Sequence, residues 1–212
     1  GYDNAKVQPV IDGIIAGATG STYAKVLSVF NWFETNVTYH PDGMTGATPH
    51  DAHELYGALV TKVAVCEGYS KAFKEILDQM KIPCMLLSGE MDNGPHMWNA
   101  VQMDDGKWYF TDVTNHQLLK GTATDLGGGR AYTNYYVQDT SGMIVDGDYT
   151  PGFNFSSRSL SATDYDPNFT PADFTVTFET NGGNTIASVP VANGDSLTLP
   201  PNPTRTGYTF DG

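Results

Sequence analysis

Apolar positions in the first third of the chain recur at helical spacing. Lys6 to Ala16 reads as a helix. After a break at Gly17 to Ser21 a second one begins, with Ser21 as its N-cap and Val26, Phe30, Phe33 and Val37 stepping by four, three and four along one face. His40 to Pro49 is rich in Pro, Gly, Thr and His, has no period, and reads as a loop; Asp51 to Thr61 is weakly helical. The strongest signal comes next. Tyr69, Ala72, Phe73, Ile76, Leu77 and Met80 follow the i, i+3, i+4, i+7, i+8, i+11 pattern of a buried amphipathic helix from about Cys66 to Lys81, with Pro83 where a helix-stopping residue belongs.

Beyond that helix the pattern changes to strands: Cys84 to Ser88, His96 to Met103 and Lys107 to Val113, the last two flanking the turn sequence Asp104-Asp105-Gly106. Helices followed by an antiparallel meander give an α+β fold. Asn115 to Arg130 is loose and passes through Gly127-Gly128-Gly129, and Tyr132 to Gln138 is a further strand candidate. Ser156 to Pro171, rich in Ser, Asp, Thr, Asn and Pro, reads as a connector. After it Phe174 to Glu179 alternates as a strand, Asn181 to Asn184 turns, and Thr185 to Leu199 regains β character. The tail is therefore a separate small β-rich module, too short at roughly 40 residues to support a core comfortably alone.

Composition narrows the function classes. The 212 residues carry 11 Lys and Arg against 24 Asp and Glu, a formal charge of −13, with no basic cluster. Such a chain repels phosphate backbones, so nucleic acid is not an expected partner. Its longest apolar stretches, such as Val10 to Ala16, are interrupted and fall far short of the about 20 residues of a membrane span. No signal peptide is legible, but a chain beginning Gly1-Tyr2-Asp3 without Met reads as a trimmed one, so that absence carries little weight. Two cysteines do not make a disulfide scaffold, so each must be explained by its surroundings.

Cys66 stands at the expected N-terminus of the buried helix, where unpaired amide N–H groups and the positive end of the helix dipole stabilise a thiolate. A buried cysteine acting as a small hydrophobe is the alternative. Two strands downstream, His96 opens one and Asp112 lies near the end of its neighbour, and register decides whether they meet. A two-residue turn at Asp105-Gly106 would set Asn99 opposite Asp112 and put His96 and Asp112 on opposite faces. A three-residue loop with Gly106 left-handed instead pairs Met103 with Lys107 and Trp98 with Asp112, leaving His96 diagonal to Asp112 on the same face. Gly after two Asp residues is the sequence this second loop prefers. In that register Cys66 is the expected nucleophile, His96 its base, and Asp112 the group that orients the imidazole. A surface histidine and a strand-end aspartate are the plain readings of the last two.

Ala64 to Phe73 (AVCEGYSKAF), then Lys81-Ile82-Pro83-Cys84 and Ser88-Gly89, then His96 to Val101 (HMWNAV), then Gly106 to Thr114 (GKWYFTDVT) together resemble the bacterial transglutaminase-like core in order and spacing. The segments Asn36 to Tyr39 and Leu55 to Leu59 resemble what precedes that family's cysteine. Ala64 stands where family members usually carry glycine. The resemblance implies a papain-like α+β fold, a Cys-bearing helix on an antiparallel sheet, and nucleophile, base and orienter at Cys66, His96 and Asp112. It also implies a thiol enzyme acting on peptide or side-chain amides through a Cys66 acyl-thioester, expected to be hydrolytic. Amine-transferring cross-linking is the alternative, and a non-catalytic surface-adhesion module the alternative of another class. The expected partner is a protein or peptide, with no cofactor.

An oxyanion hole needs the Cys66 amide and a second donor, for which Tyr56 is the candidate, a packed aromatic being the alternative. Trp98 and Asn99 either wall the cleft or pack in the core. Cys84 is expected to be a packing residue, and His50 with His53 forms too sparse a set for a metal. Gly127 to Gly129 lacks the lysine of a phosphate loop and reads as a connection. Phe174 to Gly212 resembles the internalin-type B repeat of bacterial surface proteins, a small β-grasp-like unit that usually continues with Trp after Phe-Asp-Gly; the module is thus expected to be partial, and the protein extracellular or at the cell surface. The expected division is a catalytic domain at residues 1–168, a linker at 169–173 and the partial repeat at 174–212.

Overall fold

A computed structural model describes residues 4–43, 45–121, 132–138 (backbone only from 133), 160–169, 174–191 and 196–210. By packing, the chain divides into two units, Gly1–Pro167 and Asn168–Gly212. Helix α1 (Asn4–Gly17) buries Val7, Ile11 and Ile14, one turn apart, and α2 (Thr22–Asn36) buries Val26, Val29, Phe30 and Phe33. Ser21 caps α2 by accepting the Ala24 amide on its hydroxyl at 3.2 Å. Helix α3 (Cys66–Gln79) buries Tyr69, Ala72, Phe73, Ile76 and Leu77, the face its spacing predicts. Phe33 joins two of the helices, its ring 6.0 Å from both Tyr69 and Phe73. Burying these side chains supplies the main driving force for the helical layer.

The helices accompany an antiparallel sheet of β3 (Cys84–Met91), β4 (Gly94–Gln102), β5 (Trp108–Asp112), β6 (Gln117–Lys120) and β7 (Tyr132–Gln138), in spatial order β6-β5-β4-β3-β7. A separate two-residue parallel pairing joins β1 (Thr38–Tyr39) to β2 (Val63–Ala64), directly before α3. The first unit is thus α+β, helices beside one antiparallel sheet.

Three regions differ from the sequence expectation. The segment expected to be weakly helical is instead a 3-10 turn, His50–His53, and one wide helical turn, Gly57–Thr61, parted at Glu54 by extended backbone. A side chain at Gly57 would meet the Asp51 carbonyl at 2.4 Å, which is why glycine lets the two pieces fold against each other. Strand β6 lies in a stretch read as loose. It pairs with β5 across a register shift, and both His116 before it and Leu119 within it have positive φ, so no alternating pattern marks it. The expected connector from Ser156 is, over residues 160–167, built into the first unit. Leu160 bridges Trp108, and Tyr165 is buried with its ring 5.4 Å from that of Tyr109. Gly127 to Gly129 lies outside the described residues. The second unit holds β8 (Phe174–Val176) antiparallel to β9 (Val189–Val191), the first of them shorter than the alternation from Phe174 to Glu179 suggested.

Candidate active site

The loop before α3 positions Cys66. The wide turn ends at Lys62, in left-handed backbone, and β2 carries the chain past β1, where Thr38 N–H donates to the Lys62 carbonyl and His40 N–H to the Ala64 carbonyl, both at 2.9 Å. Val65, extended, donates its N–H to Ala52 at 2.9 Å and accepts that of Tyr69, so α3 begins at Cys66. The loop at Ala52 presses on the first turn of α3 so closely that a side chain at Gly68 would meet the Ala52 carbonyl at 2.5 Å and the Ala64 methyl at 3.0 Å. Ala64, where family members usually carry glycine, is thus accommodated against a glycine one turn on. A chain of polar contacts holds the same loop: Lys71 Nζ contacts Glu67 at 2.7 Å and Glu54 at 3.0 Å, and Glu67 contacts His53 Nδ1 at 3.1 Å. Burial alone would favour loss of the Lys71 proton, but these two carboxylates outweigh it and push its pKa up.

The sheet supplies the other two groups. Asn99 pairs with Thr111 and Gln102 with Trp108, so one step further Trp98 lies opposite Asp112. This is the three-residue-loop register. Gly106 has φ of 76°, Gly106 N–H donates to the Met103 carbonyl, and Met103 N–H donates to Lys107. His96 and Asp112, both buried, are hydrogen-bonded, Nε2 to Oδ2, at 2.6 Å. Asp112 Oδ2 also accepts from the Tyr132 hydroxyl at 2.7 Å and from Asn115 Nδ2 at 2.8 Å, and Oδ1 accepts the Asn115 amide at 3.2 Å. Burial disfavours this carboxylate's charge, but the imidazole and these donors prevail and hold its pKa below the usual value.

Burial likewise disfavours an imidazolium at His96. Hydrogen bonds to Asp112 and to the Cys66 side chain, together with the charges of both, overcome it and push the His96 pKa up to about 9. Because Nε2 faces Asp112, Nδ1 is the nitrogen left for the thiol. The three side chains can therefore share and move a proton along a line of contacts. Cys66 is fully buried, clustered with Leu86 and Met97. Cys84, also free and buried, has its thiol pushed far above the ordinary range by desolvation.

The remaining sequence candidates fall elsewhere. Trp98 and Asn99 have no exposed surface, so neither walls a cleft. Trp98 stacks beneath His96, with ring centroids 5.6 Å apart at 20°. Asn99 ties α3 to the sheet, donating Nδ2 to the Ser70 carbonyl at 3.1 Å and to Met85 at 3.3 Å, while the Ser70 hydroxyl donates to Met97 at 2.9 Å. Tyr56 is half-buried against the main core. The phenol beside Cys66 belongs instead to Tyr39, which accepts the Cys66 amide N–H and hydrogen-bonds its side chain. Tyr39, Asn115 and Tyr132 escaped sequence reasoning. For Asn115 there was a signal, since a carboxylate followed three residues later by a turn residue is a capping pattern, and Asp112 does cap the short helical turn Val113–Asn115. Among the described residues no group of three His, Cys, Asp or Glu is placed to hold a metal.

Comparison with known proteins adds three findings. Residues 8–113, half of the chain, match the family model of the transglutaminase-like superfamily, and residues 174–212 match that of the Listeria-Bacteroides repeat domain. Similar solved structures include a TGase (18% identity, 53% of this chain and 31% of that one, TM-score 0.46). Others are a candidate cysteine protease from Cytophaga hutchinsonii (19%, 70% and 54%, TM-score 0.43) and a candidate protease from Parabacteroides distasonis (16%, 71% and 29%, TM-score 0.41). The chain thus spans about half or less of the length of these proteins. No protein of curated function matches it.

Proposed function

The chain belongs to the transglutaminase-like superfamily, and from that premise we propose that it is a thiol enzyme that hydrolyses peptide or side-chain amides through an acyl-thioester at Cys66. The observation that carries this reading is the 2.6 Å bond between His96 Nε2 and Asp112, on an imidazole that also hydrogen-bonds the Cys66 side chain at the start of α3. His96 already holds the proton drawn from Cys66 when sulphur attacks the carbonyl carbon, and Asp112 stabilises that imidazolium. The imidazolium then gives that proton to the departing nitrogen as the C–N bond breaks, leaving a thioester. Water, losing a proton to His96, attacks the thioester and releases the carboxylic acid and the thiol. An amine in place of water would give cross-linking by the same intermediate. The repeat match supports an extracellular or cell-surface location, with association to the surface through the second unit. No described helix is long and apolar enough to cross a membrane.

Two measurements test the reading. At neutral pH iodoacetamide should label Cys66 much faster than Cys84; equal, slow labelling would sink it. Incubation with a protein substrate and a labelled primary amine should then give cleavage fragments that Cys66→Ala abolishes. Incorporated amine without cleavage would reassign the reaction to transfer.

A further inference from the structure

Two turns of the second unit, at residues 180–184 and 204–208, are bonded to each other. The Asn184 amide donates to the Thr204 carbonyl at 2.9 Å, and the Thr204 amide donates back to Asn184 Oδ1. Arg205 crosses between the turns: Nη1 donates to the Asn181 carbonyl at 3.1 Å, and the guanidinium lies over the Tyr208 ring, 4.1 Å from its centroid. Gly182 leaves room for it, having φ of 87° and standing where a side chain would come within 3.4 Å of the guanidinium carbon. One face of the Tyr208 ring is thus covered by the protein itself, and the ring is held in place.

An open cavity of about 470 Å³, within the size range of small-ligand sites, lies against these turns, and Glu179, Asn181, Pro203, Arg205, Tyr208 and Phe210 are among its lining residues. Tyr208 is 67% and Phe210 46% exposed, so two aromatic rings face water beside a carboxylate and a guanidinium. The two charges offset each other, and together they offer both hydrogen-bond acceptors and donors. A sugar needs that combination: its hydroxyls donate and accept, while the C–H face of its ring is flat and apolar. Acidic polymers and nucleic acids, which could also stack, are repelled by a chain of formal charge −13. We propose that this cavity binds a neutral glycan, one sugar ring lying on the aromatic side chains of Tyr208 and Phe210 and its hydroxyls shared between Arg205 and Glu179. The site deepens the surface association proposed above, and rests on it, by naming what the second unit would hold.

Native gels of the whole chain, cast with hydroxyethylcellulose or glycol chitin as neutral polymers or with polygalacturonate as an acidic one, read binding as retardation. At least one neutral polymer should retard the chain, and polygalacturonate should not. Tyr208→Ala should weaken the binding about tenfold, and Arg205→Ala, which releases the ring and removes its donors, by at least as much. Leu199→Ala, at a residue 76% exposed but outside the cavity lining, should leave the retardation as in wild type. Free migration in both neutral gels, retardation by polygalacturonate alone, or retardation that neither Tyr208→Ala nor Arg205→Ala reduces would overturn the proposal. Co-sedimentation with isolated bacterial cell walls keeps its failure distinct from that of the surface association. Walls that retain the chain when neither neutral polymer does would refute the sugar site and leave the association standing; walls that do not retain it either would remove both.

Discussion

Asp112 gathers hydrogen bonds from three side chains and one backbone amide, and that concentration sets what single-residue changes should do. Tyr132→Phe removes one donor from a buried carboxylate and should cost about 2 kcal/mol in denaturant unfolding; a change below a few tenths would mean that the hydroxyl is dispensable. The pair also dictates a pH dependence. The His96 pKa is raised in the folded state, to about 9, so its contribution to stability is complete below the unfolded value near 6.5 and is lost as pH climbs through about 9. The Asp112 pKa is lowered, so its contribution holds above about 4 and fades as pH falls further. The Tm should accordingly decline between pH 6.5 and 9, and His96→Gln should flatten that decline; parallel curves for the two proteins would refute the assignment. Cys66, His96 and Asp112 were each visible in the sequence because local rules govern them: a helix start, a strand start and a strand end. Tyr39 and Tyr132 were not, because each reaches the site from a segment more than 15 residues away and nothing near either residue encodes that approach.

The element that matters most is the first turn of α3, where loop, strand and helix meet with no spare volume. Gly68→Ala would drive a methyl to 2.5 Å from the Ala52 carbonyl. It should destabilise the protein by about 1–3 kcal/mol and slow labelling of Cys66, because the loop at His50–His53 must move. Gly13→Ala, on α1 with nothing within 4 Å of the new methyl, should instead stabilise by about 0.5–1 kcal/mol. Chemical denaturation of the two variants checks both signs, and destabilisation at both sites would show that the contact at Gly68 is not the cause. At this scale periodicity located α2, α3, β3, β4 and β5, since each buries a regular face. It failed for β6 and for Gly57–Thr61, whose shapes follow from a register shift, positive φ and a close backbone approach rather than from a repeating pattern.

At the scale of the molecule, every group drawn into the site lies within Gly1–Pro167. A chain ending at Pro167 should therefore keep the preference of iodoacetamide for Cys66 over Cys84, measured by peptide mapping after timed labelling; loss of that preference would tie the site to the second unit. By itself the sequence determined the α+β class, the helix that begins at Cys66, and, through Gly106 in the Asp-Asp-Gly loop, the register that brings His96 to Asp112. A helix face and a turn are encoded by residues within a few positions of each other. Only the tertiary structure decided that Trp98 underlies the imidazole and Asn99 braces the helix instead of lining a cleft, that Tyr132 and Asn115 complete the carboxylate's shell, and that the phenol at Cys66 is that of Tyr39 and not Tyr56. Those outcomes depend on which distant segments share the same small volume, and close packing settles that for the chain as a whole.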